Sequence, residues 1–135
     1  MKSTSAVLLF FLLFASCKKN PPDNKNETLP TGTTISTGSF TSNAHPTSGT
    51  ASIVTDAGGK KYLVIENLIS DNGPDLRIWL SPNTTGSPYQ ELGFIKAISG
   101  NFFYELDSSI NYTTNNRVLI WCKQFSVLFG HAVLL

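Results

Sequence analysis

At 135 residues the chain has room for one domain and not for two. Ten Lys and Arg stand against nine Asp and Glu, and the only adjacent basic pairs are Lys18-Lys19 and Lys60-Lys61. That excludes a nucleic-acid binder, because phosphate recognition needs clustered cations.

The amino terminus reads as an address. Met1-Lys2 supplies a positive end, Ala6 to Phe14 is unbroken apolar sequence, and Phe14-Ala15-Ser16-Cys17 sets small residues before a cysteine. Nine apolar residues fall far short of the roughly 20 that a helix needs to cross a bilayer. The pattern resembles a lipobox, with Phe14 where Leu is more usual. Residues 1–16 are therefore expected to be a signal peptide, and their removal leaves a mature chain with balanced charge. In the lipoproteins that this motif resembles, the cysteine sulfur takes a diacylglyceryl group and the new amino terminus an acyl chain, which is enough hydrocarbon for stable anchoring. The alternative is an ordinary secretory signal. Lys18 stands where those families often carry Asp for inner-membrane retention, which favours the outer membrane of a bacterial envelope.

Residues 17–37 then form the lipidated Cys17 and a disordered tether. Pro21, Pro22, Pro30, Gly32 and many Asn and Thr leave only Leu29 and Ile35 as larger aliphatics. Twenty such residues as a flexible coil span about 25 Å.

From residue 38 to 135, short apolar segments alternate with turn residues, with no long amphipathic stretch and no repeat. Strands are expected at Gly38 to Thr41, Thr50 to Thr55, Lys61 to Glu66, Leu76 to Leu80, Tyr89 to Ile98, Phe102 to Leu106, Arg117 to Phe125 and Val127 to Leu134. The fold expected is all-β, a single antiparallel β-sandwich of about seven or eight strands, with a flattened β-barrel as the alternative. Asp56-Ala57-Gly58-Gly59 marks a hairpin, and Gly93 a bend or bulge. Val118, Ile120 and Cys122 share one face of their segment, Leu119 and Trp121 the other, so this strand is central and buried on both sides.

Once Cys17 is lipidated, Cys122 is the one thiol left, and no disulfide can form within the mature chain. Two readings stand side by side. Cys122 is a small buried hydrophobe beside Val118 and Ile120, or it is a reactive thiol at a strand end that a cofactor or partner approaches. His45 and His131 are the only histidines. With Cys122 they supply the residue types of a blue-copper centre, though without its spacing, and neither haem-attachment nor zinc spacing is present. His45 precedes the turn-forming Pro46-Thr47-Ser48-Gly49, where capping a loop is its ordinary role. Asp71-Asn72-Gly73-Pro74-Asp75 gathers oxygens that suit calcium, but it lacks the EF-hand pattern. A turn explains it, with Asn72-Gly73 supplying positive φ. No Gly-x-Ser-x-Gly and no assignable carboxylate pair is seen, so a stand-alone enzyme is not expected.

Gly38-Ser39-Phe40, His45 through Ala51, Glu66-Asn67-Leu68, Asn72 through Leu76, and the run from Val118 through Leu134 occur in an order that resembles the electron-transfer DM-thirteen domain family, over roughly residues 38–135. Gln124 departs from the pattern, where Arg is more familiar. The resemblance implies an extracytoplasmic all-β domain that works in electron transfer through Cys122, as a naked thiol or as a ligand to a prosthetic group such as haem. A lipid-tethered redox accessory is then the first expectation, with His45 as a polar neighbour of the sulfur and a redox protein of the envelope as partner. The competing expectation is a non-redox binding or adhesion module whose contact surface is the loop from Asn67 to Pro74.

Overall fold

The computed structural model describes residues 21–135; the expected signal peptide and Cys17 lie outside them. The described chain is all-β, with no helix, and forms nine strands. They are β1 (Lys25–Asn26), β2 (Thr33–Ser42), β3 (Thr47–Thr55), β4 (Lys61–Ser70), β5 (Leu76–Ser81), β6 (Gln90–Phe94), β7 (Ser99–Leu106), β8 (Arg117–Cys122) and β9 (Val127–Val133). They hydrogen-bond in the order β1-β7-β4-β3-β2-β9-β8-β5-β6, one sheet curled strongly into a half-barrel. Every pairing is antiparallel except β1 with β7.

The curl turns on β2. Its first part, Thr33 to Ser39, pairs with β3, and Phe40 to Ser42 pair with β9, so one strand joins the two halves of the sheet. The inner face is filled by alternate residues, among them Ile53, Leu63, Ile65, Ile78, Leu80, Phe102, Val118 and Ile120. Burial of this surface is the main force holding the curl closed.

The expected β3–β4 hairpin is present. Asp56 Oδ1 accepts from the backbone N–H groups of Gly58 and Lys60, and Gly59 takes the positive φ of the turn. Gly93 lies at a bulge between β5 and β6, also as expected. Beyond Phe94 the segment expected to continue as a strand to Ile98 turns inward, and Ile95 and Ala97 enter the core. There Tyr104, buried on β7, donates its hydroxyl proton to the Phe94 carbonyl (2.7 Å) and accepts from Lys96 N–H (3.1 Å). Burial raises its pKa well above the ordinary phenol value. Tyr104→Phe leaves both backbone groups without that partner and should cost about 1–3 kcal/mol, read as a lower denaturant midpoint at unchanged slope.

The tether differs from expectation. Lys25 and Asn26 pair with Gly100 and Asn101, and β2 begins at Thr33, so residues 25–26 and 33–37 belong to the sheet. Polar Thr, Ser and Asn bury little apolar surface, but their backbone groups are satisfied by partners distant in sequence.

Candidate functional site

Most of the segments that carry the family resemblance meet at one end of the half-barrel, where β4 finishes, β5 starts and β8 finishes, while Gly38 lies toward the other end against Val133. Gly49, at φ +118°, lies against the backbone of Glu66 to Leu68, opposite the bulge that holds Asn67 at φ 50°. Asn67 N–H donates to Asn101 Oδ1 (2.7 Å). Gly130 leaves room for the Thr47 side chain, and Gly73 for Leu76 and the ring tip of Phe129. Gly73 does not take positive φ, contrary to expectation. Its lack of a side chain serves close packing instead.

Cys122 is the last residue of β8, paired with Leu76 on β5 and Val127 on β9. It faces inward with Val118 and Ile120 and is 0% exposed. Its thiol is free and buried. The chain then leaves the sheet: Lys123 N–H donates to the Asp75 carbonyl (2.9 Å), Lys123, Gln124, Phe125 and Ser126 are exposed, and Ser126 turns at φ 52°. The strand therefore ends at Cys122 and not at Phe125. The sulfur is sealed, and the next residue in the chain, Lys123, is exposed.

The other residues singled out from the sequence lie apart from it. His45 stacks on Phe129 (ring centroids 3.8 Å apart), and its Nδ1 donates to Asp71 Oδ2 (2.9 Å). It is half-exposed at the same end of the sheet and makes no hydrogen bond to Cys122. His131 sits on the outer face of β9 opposite Leu119, with Nδ1 against Asn43 Oδ1 (2.7 Å). The two histidines and the sulfur thus do not converge on a copper site, and no cluster of three metal-ligating side chains occurs among the described residues. The Asp71–Asp75 oxygens are engaged separately. Asp71 holds His45, Asn72 caps Gly73 N–H, and Asp75 grips Arg77. β4 also runs on to Ser70, so the first part of the loop expected from Asn67 to Pro74 is strand.

A haem ligated by Cys122 does not fit this packing. Leu76, Val118, Ile120 and Val127 surround its strand position in the core cluster, and no surface of the residue is open. The nearest cavity described, about 210 Å³, reaches Leu76 but is otherwise lined by Pro21, Pro22, Lys25, Phe94, Ile95 and Lys96.

Desolvation, and after it the Arg117 charge, holds the His131 pKa below the ordinary imidazole value. The folded state therefore binds this proton less readily than the unfolded chain. The stability His131 contributes is present above about pH 6.5 and is lost as pH falls toward its folded pKa. An NMR titration should place His131 below its value in the unfolded chain, and His131→Gln should flatten that part of the stability–pH curve.

One feature was not foreseen from sequence. On the outer face, Tyr89, Trp79 and Trp121 stack in series, with centroids 3.6 Å and 5.0 Å apart, and Gly86 lies directly over the Trp121 ring. Trp79 Nε1 donates to Glu91, which also holds Arg77 beneath Phe94. This layer buries the second face of β8.

The family model for Electron transfer DM13 matches residues 39–134. The chain belongs to the electron transfer DM13 family. No curated protein and no solved structure matches it. As a DM13 domain it carries the strand order above, and its family description assigns it to electron transfer.

Proposed function

We propose that this DM13 protein is a lipid-anchored redox accessory of the bacterial cell envelope, held at the outer membrane through Cys17, with Cys122 as its redox-active thiol. The position of Cys122 carries the reading: it is the one sulfur among the described residues, at the very end of a central strand and next to the exposed turn from Lys123 to Ser126. The family description supports the electron-transfer role, and the lipobox-like Phe14-Ala15-Ser16-Cys17 supports the anchor. In this reading Cys122 acts as a naked thiol. Once the turn opens, its thiolate attacks a disulfide of an oxidised redox protein of the envelope, forming a mixed disulfide and releasing the partner's second sulfur as a thiolate, while the Cys122 proton goes to water.

A second reading is favoured by the complete burial of Cys122. It is a non-redox binding module in which the thiol only packs. Redox titration of the mature chain separates the two. The first requires a titration that both Cys122→Ser and Cys122→Ala abolish while the far-UV spectrum of the sheet persists; Ala covers the event that a buried Ser hydroxyl unfolds the domain. A parent and variants that titrate identically would establish the second.

A further inference from the structure

We infer that the end of the half-barrel that holds Cys122 rests directly on the lipid bilayer, with Ile69, Phe94 and Phe125 seated in the headgroup region. This rests on the reading of Cys17 as lipidated. The argument begins with where the chain enters the body. Ile98 N–H donates to the Pro22 carbonyl (3.2 Å), Ser99 Oγ to the Asp23 carbonyl (2.7 Å), and Asn24 Nδ2 to Ser99 Oγ (3.0 Å). β1 then runs beside β7. Cys17 is thus leashed to Pro22 by five residues, which cannot span more than about 18 Å even fully extended. β4, ten residues long, spans about 33 Å from one end of the sheet to the other. A leash shorter than the body keeps the entry end against the membrane.

Register places the exposed apolar side chains relative to that entry. Ile69 is paired with Ser99, the residue that clips Asp23. Phe94 lines the cavity that Pro21 and Pro22 also line. Phe125 sits in the turn after Cys122, whose partner Leu76 lines the same cavity. Their exposures are 65%, 51% and 64%. Ile35, Tyr89 and Leu135 are exposed toward the opposite end, so exposure alone does not choose an end; the short leash does. Charge at the entry end is mixed. Lys25 and Lys96 both contact Glu27. Seating is therefore driven by the apolar residues and not by lipid charge. A consequence is that the partner of Cys122 lies in or at the membrane.

The test uses the full acylated chain in protein-free vesicles of phosphatidylethanolamine and phosphatidylglycerol. An environment-sensitive nitrobenzoxadiazole label is placed through Ile69→Cys, Phe94→Cys or Phe125→Cys, and through Lys60→Cys at the far hairpin. The parent, whose buried Cys122 labels slowly, is the blank. The three near labels should emit to the blue and resist aqueous iodide severalfold better than the Lys60→Cys label, irrespective of salt. Four equally quenched labels on an acylated chain would overturn the docking and leave the anchor standing. Protection that grows with protein-to-lipid ratio would also overturn it, in favour of contact between copies. A mature chain without acyl mass would overturn the anchor itself.

Discussion

Cys122 should react with a small uncharged thiol reagent at least about a hundredfold more slowly in the folded domain than in the unfolded chain at the same pH, and that rate should depend only weakly on denaturant. The protection follows from its complete burial: the reagent must wait for an opening, and an opening that costs about 3 kcal/mol lowers the rate by about a hundredfold. The weak dependence follows from its place in the strand. Beyond Cys122 the backbone is held by Lys123 N–H on the Asp75 carbonyl and by the terminal pair with Val127, so fraying of one turn uncovers the sulfur while Phe102, Leu63 and the rest of the core stay buried. An opening that exposes little surface has a small denaturant slope. A reaction whose slope equals that of global unfolding would mean that the sulfur is released only when the whole domain unfolds. A redox thiol that works by opening its turn would then be ruled out.

The parts of this fold legible in the sequence are those set by neighbours in the chain. Val118 to Cys122 is apolar on both faces, and the structure buries both, one in the core and one under the aromatic layer. Asp56 to Gly59 carries its own turn chemistry, and the hairpin is there. What was hidden depends on contacts between distant residues. Lys25 and Asn26 read as tether because nothing near them is apolar; β7, about 75 residues away, supplies their hydrogen bonds. Tyr89, Trp79 and Trp121 come from separate segments, and no period in the sequence joins them.

The site was legible in part. That Cys122 faces inward followed from alternation, but how tightly Leu76 and Val127 close over it did not. The histidines are more instructive. Phe129 and His131 stand two apart and by simple alternation share a face. The bulge that sets Gly130 opposite Ile120 and Leu128 opposite Trp121 inserts Phe129 as an extra residue, so Phe129 enters the core while His131 faces out. A one-residue irregularity thus separates His131 from the sulfur, and the copper arrangement that composition allowed is lost.

Gly38→Ala should be among the most damaging small substitutions in the domain, lowering stability by about 3 kcal/mol or more. Gly38 lies where β2 stops pairing with β3 and begins pairing with β9, and a methyl group there would stand 2.0 Å from the Val133 carbonyl oxygen. The obstacle is backbone, not the end of a flexible side chain, so relief requires the seam itself to move. That seam is short. It consists of Phe40, Thr41 and Ser42 on β9, the reciprocal hydrogen bonds between Thr37 and Leu135 (3.1 Å each), and the N–H groups of Asn43, Ala44 and His45 on the Phe129 and Leu128 carbonyls. Because β2 is the one strand joining the two halves of the sheet, a displaced seam loosens Phe40, Ala132 and Leu134 from the core together. Gly58→Ala is the control: a methyl group there meets Asp56 Oδ1 at 3.4 Å, an ordinary contact, and the change should stay within about 0.5 kcal/mol. Urea unfolding of both variants decides the matter. Equal midpoints would show that the seam yields freely, and the curl of the sheet would then owe its closure to side-chain burial without help from a glycine at the crossing.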